Sequence, residues 1–108
     1  MEVIIIKPLI IGDLIAKVPI IQGGMGVGIS RSNLASAVAR SGGIGVISGA
    51  QIGFDEKDYE DNTLSANLRA LKKHIIKAKK DSLDGIIGLN LMVCLLYTSD
   101  AADDSIRV

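Results

Sequence analysis

Aromatic residues are nearly missing from this 108-residue chain: it has one Phe, two Tyr and no Trp. A platform on which the bases of single-stranded nucleic acid stack needs exposed rings, so this scarcity argues against such a partner. Net charge is missing as well. The 12 Lys and Arg balance 12 Asp and Glu, which argues against a polyanion held by bulk charge. A single cysteine, Cys94, cannot make an internal disulfide. Long apolar runs are also lacking. The N-terminal stretch MEVIIIKPLIIGDLIAKVPII is broken by Lys7, Pro8, Asp13 and Lys17. A spanning helix needs about 20 consecutive apolar residues, and a signal peptide needs an unbroken apolar core. Neither nucleic acid nor membrane is expected as a partner, and a cytoplasmic protein is the expectation.

What is present is apolar bulk, at 48% of residues, enough for one domain with a core. Val3-Ile4-Ile5-Ile6 and Leu9-Ile10-Ile11 read as short strands, punctuated by Pro8 and by Gly12-Asp13. Val18-Pro19-Ile20-Ile21 reads as a strand covered on both faces, because it lacks polar alternation. A helix is predicted near residues 32 to 41, with Ser30 or Ser32 as its cap and Gly42-Gly43 as its stop. Ile44 to Ser48 is a buried strand. The acidic stretch 49 to 63 is a loop. A second helix is predicted near 64 to 80, its apolar stripe made by Leu64, Leu68, Leu71, Ile75 and Ile76. A last buried strand begins at Ile86 and runs to about Met92. Alternation of this kind implies an α/β fold with parallel strands, either an open doubly wound sheet or a (β/α)8 barrel.

The segment QGGMGVGIS, residues 22 to 30, holds four glycines at the end of the 18–21 strand. Glycine loses more conformational entropy than any other residue on folding, so a cluster this dense marks a tight turn or a close approach to a ligand. The dinucleotide fingerprint G-x-G-x-x-G fails in both registers, because Ile29 or Arg31 stands where the third glycine belongs. A P-loop fails too, since no Gly-Lys-Ser/Thr follows.

Taken together, PIIQGGMGVGIS, LASAVARSGGIGVIS and DGIIGLNLMV closely resemble the start of the flavin-dependent nitronate monooxygenases, formerly called 2-nitropropane dioxygenases. The resemblance covers residues 9 to 93 and extends to the FMN-dependent enoyl-acyl-carrier-protein reductases of the same superfamily. It implies the N-terminal part of a (β/α)8 TIM barrel, truncated after the third barrel strand, with FMN across the C-terminal strand ends. On that implication Gly23, Gly24 and Met25 lie under the flavin, and Asn90 offers it an amide that both donates and accepts. Asn90 could instead be a structural amide tying off a strand end. Met25 and Asn90 are both expected at the C-terminal edge of the sheet. The implied reaction is oxidation of an alkyl nitronate with O2. The alternative within the superfamily is reduction of an enoyl thioester, and a non-enzymatic alternative is a small α/β binding module. The partner is a small-molecule substrate in either enzymatic case.

Other residues invite chemistry and are read more plainly. His74 is the only histidine, and among lysines in mid-helix it is expected to be solvated on the outer layer. The family's catalytic histidine belongs to a downstream Gly-Gly-His segment that nothing here matches, so no catalytic residue is assigned. Asp55, Glu56, Asp58, Glu60 and Asp61 lack the glycine and terminal glutamate of a calcium loop and read as a solvated acidic loop. Lysines 72, 73, 77, 79 and 80 read as solvent-facing. The segment CLLYTSDAAD, from Cys94 to Asp103, resembles the conceptual translation of a transposase sequencing adapter. Residues 94 to 108 are therefore read as a non-native tail, leaving Cys94, Asp100, Asp103 and Asp104 without function. Residues 1 to 93 are then an FMN-binding barrel fragment, expected to be inactive by itself.

Overall fold

The computed structural model describes residues 6–92. The expected strand over Val3–Ile6 falls, apart from Ile6, outside the described residues, as do Cys94 and the segment 94–108. Six elements follow in order: β1 (Leu9–Ile11), β2 (Leu14–Ala16), α1 (Ser32–Arg40), β3 (Ile44–Ser48), α2 (Thr63–Asp81) and β4 (Ile86–Asn90). The architecture is α/β. No helix among the described residues is long and apolar enough to cross a membrane.

β1 and β2 form an antiparallel hairpin in which Ile11 faces Leu14 across the two-residue turn Gly12-Asp13. Gly12 has φ +60, the left-handed value that the first central position of such a tight hairpin demands. The sequence reading used Gly12-Asp13 as an endpoint and so missed β2. β3 and β4 pair in parallel, from Ile44 opposite Ile86 to Ser48 opposite Asn90, with α2 as the crossover. β4 ends at Asn90, short of the expected Met92.

The expected strand at 18–21 is a partial one. It runs beside β3 in parallel through a single bridge, Ile21 to Ile44. Ile44 N–H donates to the Ile20 carbonyl at 2.9 Å, and Gln22 N–H donates to the Ile44 carbonyl at 3.0 Å. β3 is therefore central, and this position explains why Ile44 and Ile47 are buried.

The helices approach closely because the facing residues are small. α1 buries Ser32, Ala35, Ser36 and Ala39. Against it lies Gly45, where a Cβ would stand 1.9 Å from the Ala35 carbonyl oxygen. α2 differs from its expected orientation. Its buried face is Ala66, Ala70 and Ala78, with Leu71 and Ile75 packed beside them, whereas Leu64 and Leu68 are 72% and 58% exposed and Ile76 is exposed too. The cause is backbone proximity: at Gly53 a Cβ would meet the Ala66 carbonyl oxygen at 2.5 Å, leaving no room there for a leucine. α2 ends at Ser82, after which Leu83 and Asp84 both take positive φ, +54 and +70, to turn the chain into β4.

The expected helix cap also needs correction. The residue preceding α1 is Arg31, and no side chain caps the helix. Ser30 and Ser32 are engaged elsewhere, as described next.

Candidate functional site at the strand ends

Three chain segments reach the same end of the parallel sheet: the glycine loop after residue 21, the end of β3 at Ser48 and the end of β4 at Asn90. Gly24 lies against the other two. A Cβ built on it would stand 3.0 Å from Asn90 Cβ, 3.2 Å from Asn90 Nδ2 and 3.5 Å from Ser48 Cα. Gly24 and Asn90, separated by most of the chain, are thus neighbours. Gly23 is different, since a Cβ there meets nothing within 4 Å. Met25 lies in the same loop with its side chain half exposed, and its N–H donates to Ser30 Oγ at 2.9 Å.

Polar groups without partners gather here. The N–H groups of Gly23 and Gly24 and the side-chain amide of Asn90 make no hydrogen bond among the described residues. Gly23 leaves open space beside these groups, and the amides offer donors and an acceptor.

The loop is held by Gln22, Ser30, Ser48 and Phe54, of which only Ser30 stood out in the sequence, and that as a helix cap. Gln22 sends Nε2 to the Val46 carbonyl at 3.2 Å and accepts from Val46 N–H through Oε1 at 3.0 Å. Ser30 is fully buried, and its hydroxyl also accepts from Gln22 Nε2 at 3.0 Å. Ser48 Oγ donates to the Gly26 carbonyl at 3.0 Å. Phe54 closes the outer side. Its ring lies 3.0 Å from where a Cβ of Gly28 would be, and the Arg31 guanidinium sits 5.2 Å from its centroid. Apart from the Gln22–Ser30 bond, each of these ties joins residues far apart in sequence, so no periodicity could announce them.

His74 is not simply solvated. Its Nδ1 lies 3.0 Å from Ser32 Oγ, in the seam between α2 and α1. Burial, then Arg31, Lys73 and Lys77 nearby, pull its pKa below the usual imidazole value, with Asp55 opposing. It is engaged in helix packing. The acidic loop is an ion-pair web: Asp55 meets Arg31 at 2.9 Å, and Glu56 meets Arg69 at 2.8 Å and Lys73 at 3.4 Å. Asp58 also pairs with Arg69. Hydrogen bonds from these arginines hold the three carboxyls below their ordinary pKa values. Glu60 and Asp61 are exposed. Of the lysines, Lys77 bonds Asp81 and Asn33, joining α2 to α1.

Residues 7–102 match the family model described as Nitronate monooxygenase. The chain belongs to that family. No curated protein gives a significant match to it. In this nitronate monooxygenase family member the strand-end cluster of Gly23, Gly24, Met25 and Asn90 brings the open side of Gly23 together with the unpaired Gly23 and Gly24 N–H groups and the Asn90 amide. The family assignment makes the protein an oxidoreductase by class.

Proposed function

We propose that the chain forms the first strand ends of an FMN-dependent nitronate monooxygenase, built as the N-terminal part of a TIM barrel and acting on alkyl nitronates with O2. The observation that carries the reading is the approach of Gly24 to Asn90 within a chain of this family. Gly23 would give the flavin ring space, Gly23 and Gly24 would offer N–H donors, Met25 would flank it, and Asn90, seated against Gly24, would present its amide. When bound, FMN supplies the redox chemistry, which no side chain here can provide. The residues present bind and orient. Gly23 leaves the approach open, and the Gly24–Asn90 contact fixes the spacing between the glycine loop and the end of β4. Ser48 and Phe54 keep the glycine loop in place. His74 is not offered as a base, because its ring is committed to Ser32.

The test is direct. The purified chain is titrated with FMN, following quenching of flavin fluorescence. The full-length gene product is then assayed on propyl-2-nitronate for O2 uptake, and on an enoyl thioester with NADPH. Saturable quenching with nitronate-dependent O2 uptake supports the proposal. Turnover of the thioester alone would shift the assignment to the enoyl reductases, and no FMN binding by either form would end it.

A further inference from the structure

In a parallel ladder, alternate residues of a strand direct both N–H and C=O to the same neighbour. Ile44 does so toward the 18–21 segment, bonding the Ile20 carbonyl and Gln22 N–H. The next rung would join Val46 N–H to the Gln22 carbonyl and Gly24 N–H to the Val46 carbonyl. Neither bond is made. The side-chain amide of Gln22 occupies both places, Oε1 accepting from Val46 N–H at 3.0 Å and Nε2 donating to the Val46 carbonyl at 3.2 Å. The following rung is taken by Ser30, whose carbonyl accepts from Ser48 N–H at 2.7 Å. The edge of β3 is thus satisfied as far as Ser48 N–H while the main chain of the glycine loop stands off it. Gln22 Nε2 also reaches the Gly23 carbonyl at 2.8 Å and Ser30 Oγ at 3.0 Å, which fixes the direction in which the loop leaves.

We infer that Gln22 is the positioning residue of the glycine loop: its amide replaces a peptide unit, ends the strand, and keeps the Gly24 N–H group available to the flavin. The inference rests on the FMN reading for its ligand and on the hydrogen bonds alone for the strand ending. A carbonyl and an N–H left unpaired at Val46 would be costly, so loss of the Gln22 amide favours collapse of Gly24 onto β3.

The experiment uses the full chain with Gln22→Met, which keeps side-chain length and removes both bonds. Far-UV circular dichroism and a thermal melt establish that the variant is folded. Gly24 amide exchange, followed by NMR, is expected to slow about tenfold, and FMN affinity is expected to fall about tenfold, each corresponding to one hydrogen bond's worth of free energy. Unchanged Gly24 exchange in the folded variant overturns the inference, even if FMN affinity falls, because Gln22 would then be a ligand contact. Slowed exchange where neither the parent chain nor the full-length product takes up FMN upholds the strand-ending role and removes the flavin reading. Should the variant fail to fold, the parent chain still decides: strong protection of its ligand-free Gly24 amide overturns the inference, and rapid exchange supports it.

Discussion

A methyl group is the smallest change that can be made at Gly24 or Gly45, and the two sites respond for different reasons. At Gly24 the added carbon would press on Asn90, 3.0 Å away, and a β-branched chain would force Asn90 or the glycine loop out of place. Gly24→Val in the full-length enzyme is expected to lose FMN on gel filtration, read as the flavin-to-protein absorbance ratio; an unchanged ratio removes Gly24 from the site. At Gly45 the obstacle is a backbone carbonyl at 1.9 Å, which cannot rotate away. Gly45→Ala is expected to destabilise the fold by about 3 kcal/mol, the upper part of the overpacking range, measured by urea unfolding. His74 gives a pH signature. Its folded pKa is lowered by burial and by Arg31, Lys73 and Lys77, so the unfolded chain takes up the proton first as pH drops. Its contribution is whole above about pH 6.5 and is lost as pH falls through the depressed folded value. Urea midpoints should therefore decline between neutrality and mild acid, and His74→Gln should flatten that decline. The paired carboxyls Asp55, Glu56, Asp58 and Asp81 have lowered values and act in a separate, more acidic window. The family resemblance placed Met25 and Asn90 at one strand edge, whereas the approach of Gly24 to Asn90 is seen only in the structure. Gln22 and Phe54 were not legible, because a side chain bonding a strand 24 residues away leaves no local pattern.

At the scale of elements, both helices were readable within a residue at either end, since periodicity and glycine stops set them. Their facing was less readable. The largest apolar residues of α2 suggested a stripe, but close backbone approach at Gly53 selects alanine, which turns Leu64 and Leu68 outward. The 18–21 strand is cut short because a side chain takes its next rung. The exit from α2 carries a cost that can be removed. Leu83 is exposed and holds φ +54, a conformation that disfavours any side chain. Leu83→Gly should stabilise the chain by about 1 kcal/mol by relieving the left-handed penalty, visible as a raised thermal midpoint. A lowered midpoint would mean that Leu83 makes a compensating contact.

For the whole molecule, alternation of strands and helices was enough to give α/β, and the parallel β3–β4 pair agrees with it. Closure into a barrel is a property of more strands than the described residues contain, and it stays with the proposal. The apolar surface has a measurable consequence. Among the described residues only Ile47 and Ile52 are large apolar side chains buried almost completely, whereas Ile10, Ile15, Ile20, Leu89, Leu91 and Met92 are exposed. Apolar exposure on this scale binds amphiphilic dyes and promotes association. Residues 1–108 expressed alone should enhance anilinonaphthalene sulfonate fluorescence and show a sedimentation coefficient that rises with concentration. A dye-silent monomer would show that these side chains are covered in solution.

The contact between Gly45 and Ala35 also describes a bond of an unusual kind. The direction a Cβ would take is occupied by a hydrogen on Gly45 Cα, and that hydrogen faces the Ala35 carbonyl oxygen. A carbon acid polarised by two flanking amides can serve as a weak donor at such range. Helix α1 is therefore moored to β3 by a C–H···O link as well as by packing. The Gly45 α-proton facing the oxygen should resonate downfield of its geminal twin, reporting helix docking without any label on a side chain.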